Sequence, residues 1–132
     1  MPLSFSDALG IHEQALQVRS RRMELLSSNI ANADTPHYKA RDLDFRQALE
    51  AAETSRAVHL RTTHATHIPA AGKGGADEAL YRVPTQPSLD GNTVDPQLEQ
   101  AAFAENAVQY QASLDFLGDK FVGLKNALKG GQ

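Results

Sequence analysis

From Phe103 onward apolar residues fall seven apart, as Phe103, Tyr110, Leu117 and Leu124, with Ala107, Leu114, Phe121 and Leu128 set between them. Spacing that alternates four and three over more than three heptads is the seam of a coiled-coil-type helix. The start is marked by Asp95, which can cap the first free amides, and by Pro96, at a position where a missing N–H costs nothing. Glu99 and Glu105 lie early and Lys120, Lys125 and Lys129 late, which suits the helix dipole, and Gly130-Gly131 ends the run. A helix from Pro96 to Lys129 is roughly 50 Å long at about 1.5 Å per residue. A chain that carries it must find another long element to cover its seam.

The N-terminal third supplies that element. Ser6 or Asp7 can cap a helix on which Leu9, Leu16, Met23 and Ile30 recur by seven, joined by Leu26 and Ala33. Ile11, Val18 and Leu25 form a second stripe about 200° around. One stripe is expected on the C-terminal helix. The other meets either the middle of the chain or another subunit. Arg19-Ser20-Arg21-Arg22 reads as a solvated or interfacial charge cluster. The helix should end with Asn32 in a left-handed cap and Thr35 held extended by Pro36.

A short second helix follows. Asp44 is its N-cap, Gln47 completes a capping box, and Phe45, Ala48, Leu49 and Ala52 make one apolar face that fades near Ser55. Beyond it the periodicity disappears. Residues 58–63 and 80–83 each allow a short strand, 70–75 form a Gly-rich loop, and Pro84, Pro87 and Asp90-Gly91-Asn92 impose extended and turn conformations. The expected fold is therefore mainly α. Two long terminal helices pair in a coiled-coil-like hairpin, with a short second helix and an irregular, short-stranded middle. Residues 1–56 and 93–132 make one discontinuous helical domain, into which 57–92 are inserted.

Composition narrows the function. Only 6% of the 132 residues are aromatic and Trp is absent, so a large self-contained core is excluded. A net charge of −3 argues against nucleic acid or anionic lipid as partner, and the lack of Cys removes disulfide and thiol chemistry. No run approaches the roughly 20 apolar residues of a membrane span, and residues 1–7 lack the pattern of a cleavable secretory signal. His59, His64 and His67 have neither Cys nor a nearby carboxylate beside them, so no metal site is assigned. No nucleophile elbow, phosphate loop or paired acid and base appears, so neither catalytic nor cofactor-binding residues are assigned.

The run Ser27-Ser28-Asn29-Ile30-Ala31-Asn32-Ala33-Asp34-Thr35-Pro36-His37-Tyr38-Lys39 resembles the N-terminal signature of bacterial flagellar rod, hook and hook–filament junction proteins. Asn29, Asn32, Thr35, Pro36, Tyr38 and Lys39 carry the match, and His37 stands where the family has Gly. Pro87 to Asp95, Phe103 to Ala107 and Tyr110 to Leu114 narrow the resemblance to the proximal rod proteins of the basal body. The two blocks cover about half of the chain, leaving 55–80 outside. The resemblance implies a non-enzymatic structural subunit that polymerises around a central channel, linking the membrane-embedded base to the distal rod and transmitting torque. It implies as partners other copies of the chain, other rod proteins, the adaptor below the rod and the flagellar type III export gate. It implies a basal-body location spanning the periplasm, reached without a cleavable signal peptide. Phe45 and Leu49 also fit the loose export-gate recognition pattern of such substrates, or else simply pack. A helical binding module, such as an export chaperone or adaptor, is the alternative of a different class; it would sediment as a discrete folded dimer.

Overall fold

A computed structural model describes residues 9–57 and 79–130 of the chain. Among the described residues, three helices, α1 (Ile11–Ala31), α2 (Phe45–Ala57) and α3 (Pro96–Leu128), are joined by two short strands, β1 (Arg41–Asp42) and β2 (Leu80–Tyr81). The expected strand and loop at 58–63 and 70–75, the three middle His residues and the caps at Ser6 and Asp7 lie outside the described residues.

α1 and α3 pack antiparallel: His12 lies by Phe116, Arg19 reaches Gln109 and Ser113, and Asn29 reaches Glu99. Asp95 caps α3 as expected, its carboxylate accepting from the Gln97 and Leu98 N–H groups at 3.1 and 3.3 Å. Residues 117–128 run past the start of α1, an overhang of about 18 Å. Two helix boundaries differ from expectation. α1 begins after Gly10, which takes φ 58°, a left-handed value open to glycine, so the expected helix is interrupted there. At its other end Asn32 has φ −106°, not a left-handed value. The left-handed residue is His37, at φ 62°.

The apolar core lies on the other side of α1. Val18 and Leu25 join Leu43 and Ala48 in one buried cluster, with Phe45 and Ala79 packed against it. Val18 and Leu25 of the second stripe of α1 are thus covered within the chain by α2 and the approach to it, while Ile11 is not. At roughly 1.5–3 kcal/mol for each fully buried large apolar side chain, this cluster is the main hydrophobic contribution to holding α2 in place. Asp44 starts α2 by accepting from the Arg46 and Gln47 amides. The Leu80–Tyr81 strand occurs within the expected 80–83, but its antiparallel partner is Arg41–Asp42, a segment with no strand signal of its own.

Candidate functional site

The motif turn folds into a polar clamp that ties α1, β1 and α3 together. Asn29 is completely buried, and its carboxamide is fully used. Its Nδ2 donates to the Arg41 carbonyl (2.7 Å) and to Glu99 (3.1 Å), while Oδ1 accepts from the Arg41 N–H (3.1 Å) and the Tyr38 hydroxyl (3.3 Å). The side chain thus meets the Arg41 peptide groups as a neighbouring strand would, and bonds α3 as well. Asn92, also buried, donates from Nδ2 to the carbonyls of Asn32, Ala33 and Thr35 at 2.7–3.0 Å. Those carbonyls belong to the turn that follows Ala31, the last residue of α1. α1 itself ends without a left-handed cap, on bonds from Asn32 N–H to Ser28 O and Asn29 O and from Ala33 N–H to Ile30 O, and Asn32 turns its own Nδ2 back to Ser28 O at 2.8 Å.

The chain between the two asparagines is laced to the segment before α3. His37 N–H donates to Asp90 O, Thr93 N–H to Tyr38 O, and Ala40 N–H to the Thr93 hydroxyl. Lys39 Nζ reaches Gly91 O at 2.7 Å. Gly91 takes φ 73°, and a Cβ there would stand 3.0 Å from His37 Nδ1, so both conformation and space call for glycine. His37 itself holds a left-handed conformation that costs an L-residue about 1–2 kcal/mol and that the Asp90 bond helps to maintain.

Four charges sit under this turn. Arg22 clasps Asp42 with two bonds of 2.9 and 3.1 Å. Arg82 bridges Asp42 and Glu99 at 2.5 and 2.6 Å, and the Glu99 side chain is 1% exposed. Burial alone would raise the Asp42 carboxyl, but hydrogen bonds from Arg22 and Arg82 and from the Leu43 N–H outweigh it and hold the pKa below its ordinary value. The same Asp42 bond raises Arg22. Because the folded Asp42 pKa is depressed, its contribution to stability is complete above the unfolded value of about 3.9 and disappears as pH falls through the folded one. Urea midpoints should therefore be flat from neutral pH down to about 5 and fall steeply below about 4. Asp42→Asn should lower the plateau and flatten that fall.

Along α1 and α3 the buried line of α3 is polar. Glu99, Asn106 and Ser113, seven apart, are its buried residues. Asn106 Nδ2 donates to Arg19 O at 3.0 Å, and Arg19 Nε donates to Ser113 Oγ at 3.2 Å. The Arg19 guanidinium also lies over the Phe45 ring, 4.1 Å from its centroid, and burial lowers its pKa.

The residues expected to pack therefore divide. Leu9, Val18 and Leu25 are buried, Leu16, Met23 and Ile30 are half-buried, and Ile11 is exposed. On α3, Phe103, Tyr110, Leu117 and Leu124 are half-buried, but Leu114 and Phe121 are exposed and Leu128 is 89% exposed. The seam centres about 40° away from Phe103 and Tyr110, on the polar ladder, and Leu128 lies in the overhang. Of the motif residues, Asn29 and Tyr38 belong to the buried network, whereas Thr35, Pro36 and Lys39 are exposed in the turn. Phe45 and Leu49 are half-buried on α2. Glu99, Arg82 and Asn92 were not singled out by pattern. The seven-residue spacing of Glu99, Asn106 and Ser113 is the signal that could have found that ladder.

Residues 9–39 match a family model described as Flagella basal body rod protein. Over 126 residues the chain is 55% identical to the flagellar basal body rod protein FlgB of Cereibacter sphaeroides, covering 96% of this chain and 97% of that one. It is 51% identical over 133 residues to the protein of the same name from Aeromonas hydrophila, covering all of both. To that of Salmonella typhimurium it is 48% identical over 130 residues, 94% of each chain. The clamp is thus built from the stretch that carries the family signature, and identity at this level over nearly the whole length leaves one conclusion: the chain belongs to the FlgB family of flagellar basal body rod proteins.

Proposed function

We propose that the chain is a structural subunit of the basal-body rod that polymerises with copies of itself and with other rod proteins around a central channel. In that position it joins the membrane-embedded base and its adaptor to the distal rod and carries torque across the periplasm. The observation that supports this reading is the direction in which α3 faces. Its buried residues are Glu99, Asn106 and Ser113, while Leu98, Val108 and Val122 are 46–71% exposed. An apolar outer face on a helix this long suits a protein completed by neighbours in an assembly rather than by its own fold. No described helix is long and apolar enough to cross a membrane, in keeping with a subunit that reaches its place by export.

Export itself is assigned to the flagellar type III gate, without a cleavable signal peptide, and to Phe45 and Leu49 as the residues read there. In the folded subunit both are half-buried on α2, with Phe45 beneath Arg19, so recognition belongs to the unfolded chain. Phe45→Ala combined with Leu49→Ala should leave the protein in the cytoplasm of a strain lacking its own copy. Normal secretion with poor rod formation would reduce the pair to packing. A strain in which the intact chain is secreted but no rod forms, with all other rod proteins present, would overturn the structural role.

A further inference from the structure

We propose that Arg82 is a latch that holds α3 on the rest of the subunit, and that α3 opens as a unit when the latch is released while α1 and α2 stay folded together. Three observations converge on it. The buried apolar cluster is built from α1, α2 and the residues just before α2, and α3 supplies none of its members. The fully buried residues of α3, Glu99, Asn106 and Ser113, are all polar, and Asn106 Oδ1 is buried without a hydrogen-bond partner, so the seam is incompletely satisfied. Glu99 is the exception that fixes the helix. It is a carboxylate almost wholly out of water, and its oxygens are met by Arg82 and Asn29.

The geometry makes Arg82 the controlling partner. Its backbone N–H donates to Ala40 O at 2.9 Å, continuing the β1–β2 pairing, so its guanidinium reaches Glu99 only when this segment lies on β1. Without it Glu99 keeps one neutral donor, Asn29, and a buried carboxylate so placed is strongly unfavourable. Rehydrating Glu99 requires lifting the first turns of α3. The apolar side chains of α3 that oppose that movement, Phe103, Tyr110 and Leu117, are only half-buried, whereas α1 and α2 keep their own buried cluster. The helix is thus the less stable of two cooperative units. This device does not depend on the rod assignment, because it acts within one chain.

Hydrogen–deuterium exchange of the full chain in its monomeric form tests it. Arg82→Leu keeps the backbone bond to Ala40 and should accelerate exchange of the amides between Phe103 and Ser113 by about tenfold or more, leaving Val18 to Leu26 unchanged. Adding Glu99→Leu to Arg82→Leu removes the stranded carboxylate and should bring the α3 amides back to within about threefold of the native rate. Equal acceleration in α1 and α3 would mean a single cooperative unit and would overturn the proposal. So would unaltered α3 exchange in Arg82→Leu, α3 amides already unprotected in the native chain, or a double variant no slower than the single one.

Discussion

Asn29→Asp should prevent the subunit from folding at neutral pH. The substitution is nearly isosteric, so packing is conserved and only the bonding changes. A carboxylate has no N–H to give to Arg41 O or to Glu99, and it would face the Glu99 oxygen that Asn29 now meets at 3.1 Å. Two buried like charges and a stranded carbonyl together cost about 4 kcal/mol or more, against a total stability of about 5–15 kcal/mol for an ordinary domain. Asn29→Ala should cost less, about 2–4 kcal/mol, because it strands the Arg41 groups without adding charge. Ser27→Asp, on the exposed side of the same helix, should be nearly silent. Circular dichroism and urea titration at pH 7 rank the three. A native-like midpoint for Asn29→Asp would show that Asn29 and Glu99 do not meet.

The second large effect should appear only in the assembled organelle. Val108 is 71% exposed at the middle of α3's outer face. Val108→Asp should change the stability of the isolated subunit by no more than about 0.5 kcal/mol, since an exposed helical site tolerates such a change. In cells it should abolish rod formation and motility, because neighbours that cover this face would have to desolvate the charge. Val108→Leu preserves the apolar contact and should swim. Motile cells carrying Val108→Asp would mean that no partner covers this face, and the rod reading would then lose its structural support.

What could be read from the sequence was what is decided locally. Asp95-Pro96 marks the start of α3 because a cap and a donor-free first residue act within one turn, and Asp44 does the same for α2. The pairing of the terminal helices was legible in the heptads, but its rotation was not. Apolar Phe103 and Tyr110 draw attention, while Glu99, Asn106 and Ser113 look like a solvated face until Arg82, Asn29 and Arg19 are set against them. The strand at Arg41–Asp42 was invisible for a related reason. Its partners are Leu80–Tyr81 and the side chain of Asn29, neither of which is a neighbour in sequence. Asn32 illustrates the opposite error. An intrinsic preference for the left-handed cap gave way to backbone bonds and a following turn held by Asn92, and the strained conformation moved to His37.

The Asn29 carboxamide has one more effect, on what the subunit avoids. A strand whose outward peptide groups are bare is a template for pairing with any extended chain, and such pairing grows into insoluble fibres when many identical copies are held close together. A rod subunit that polymerises as proposed above is held at that density. By filling the outer rim of β1 with a side chain from a helix, the fold closes that rim to foreign strands without needing a third strand of its own.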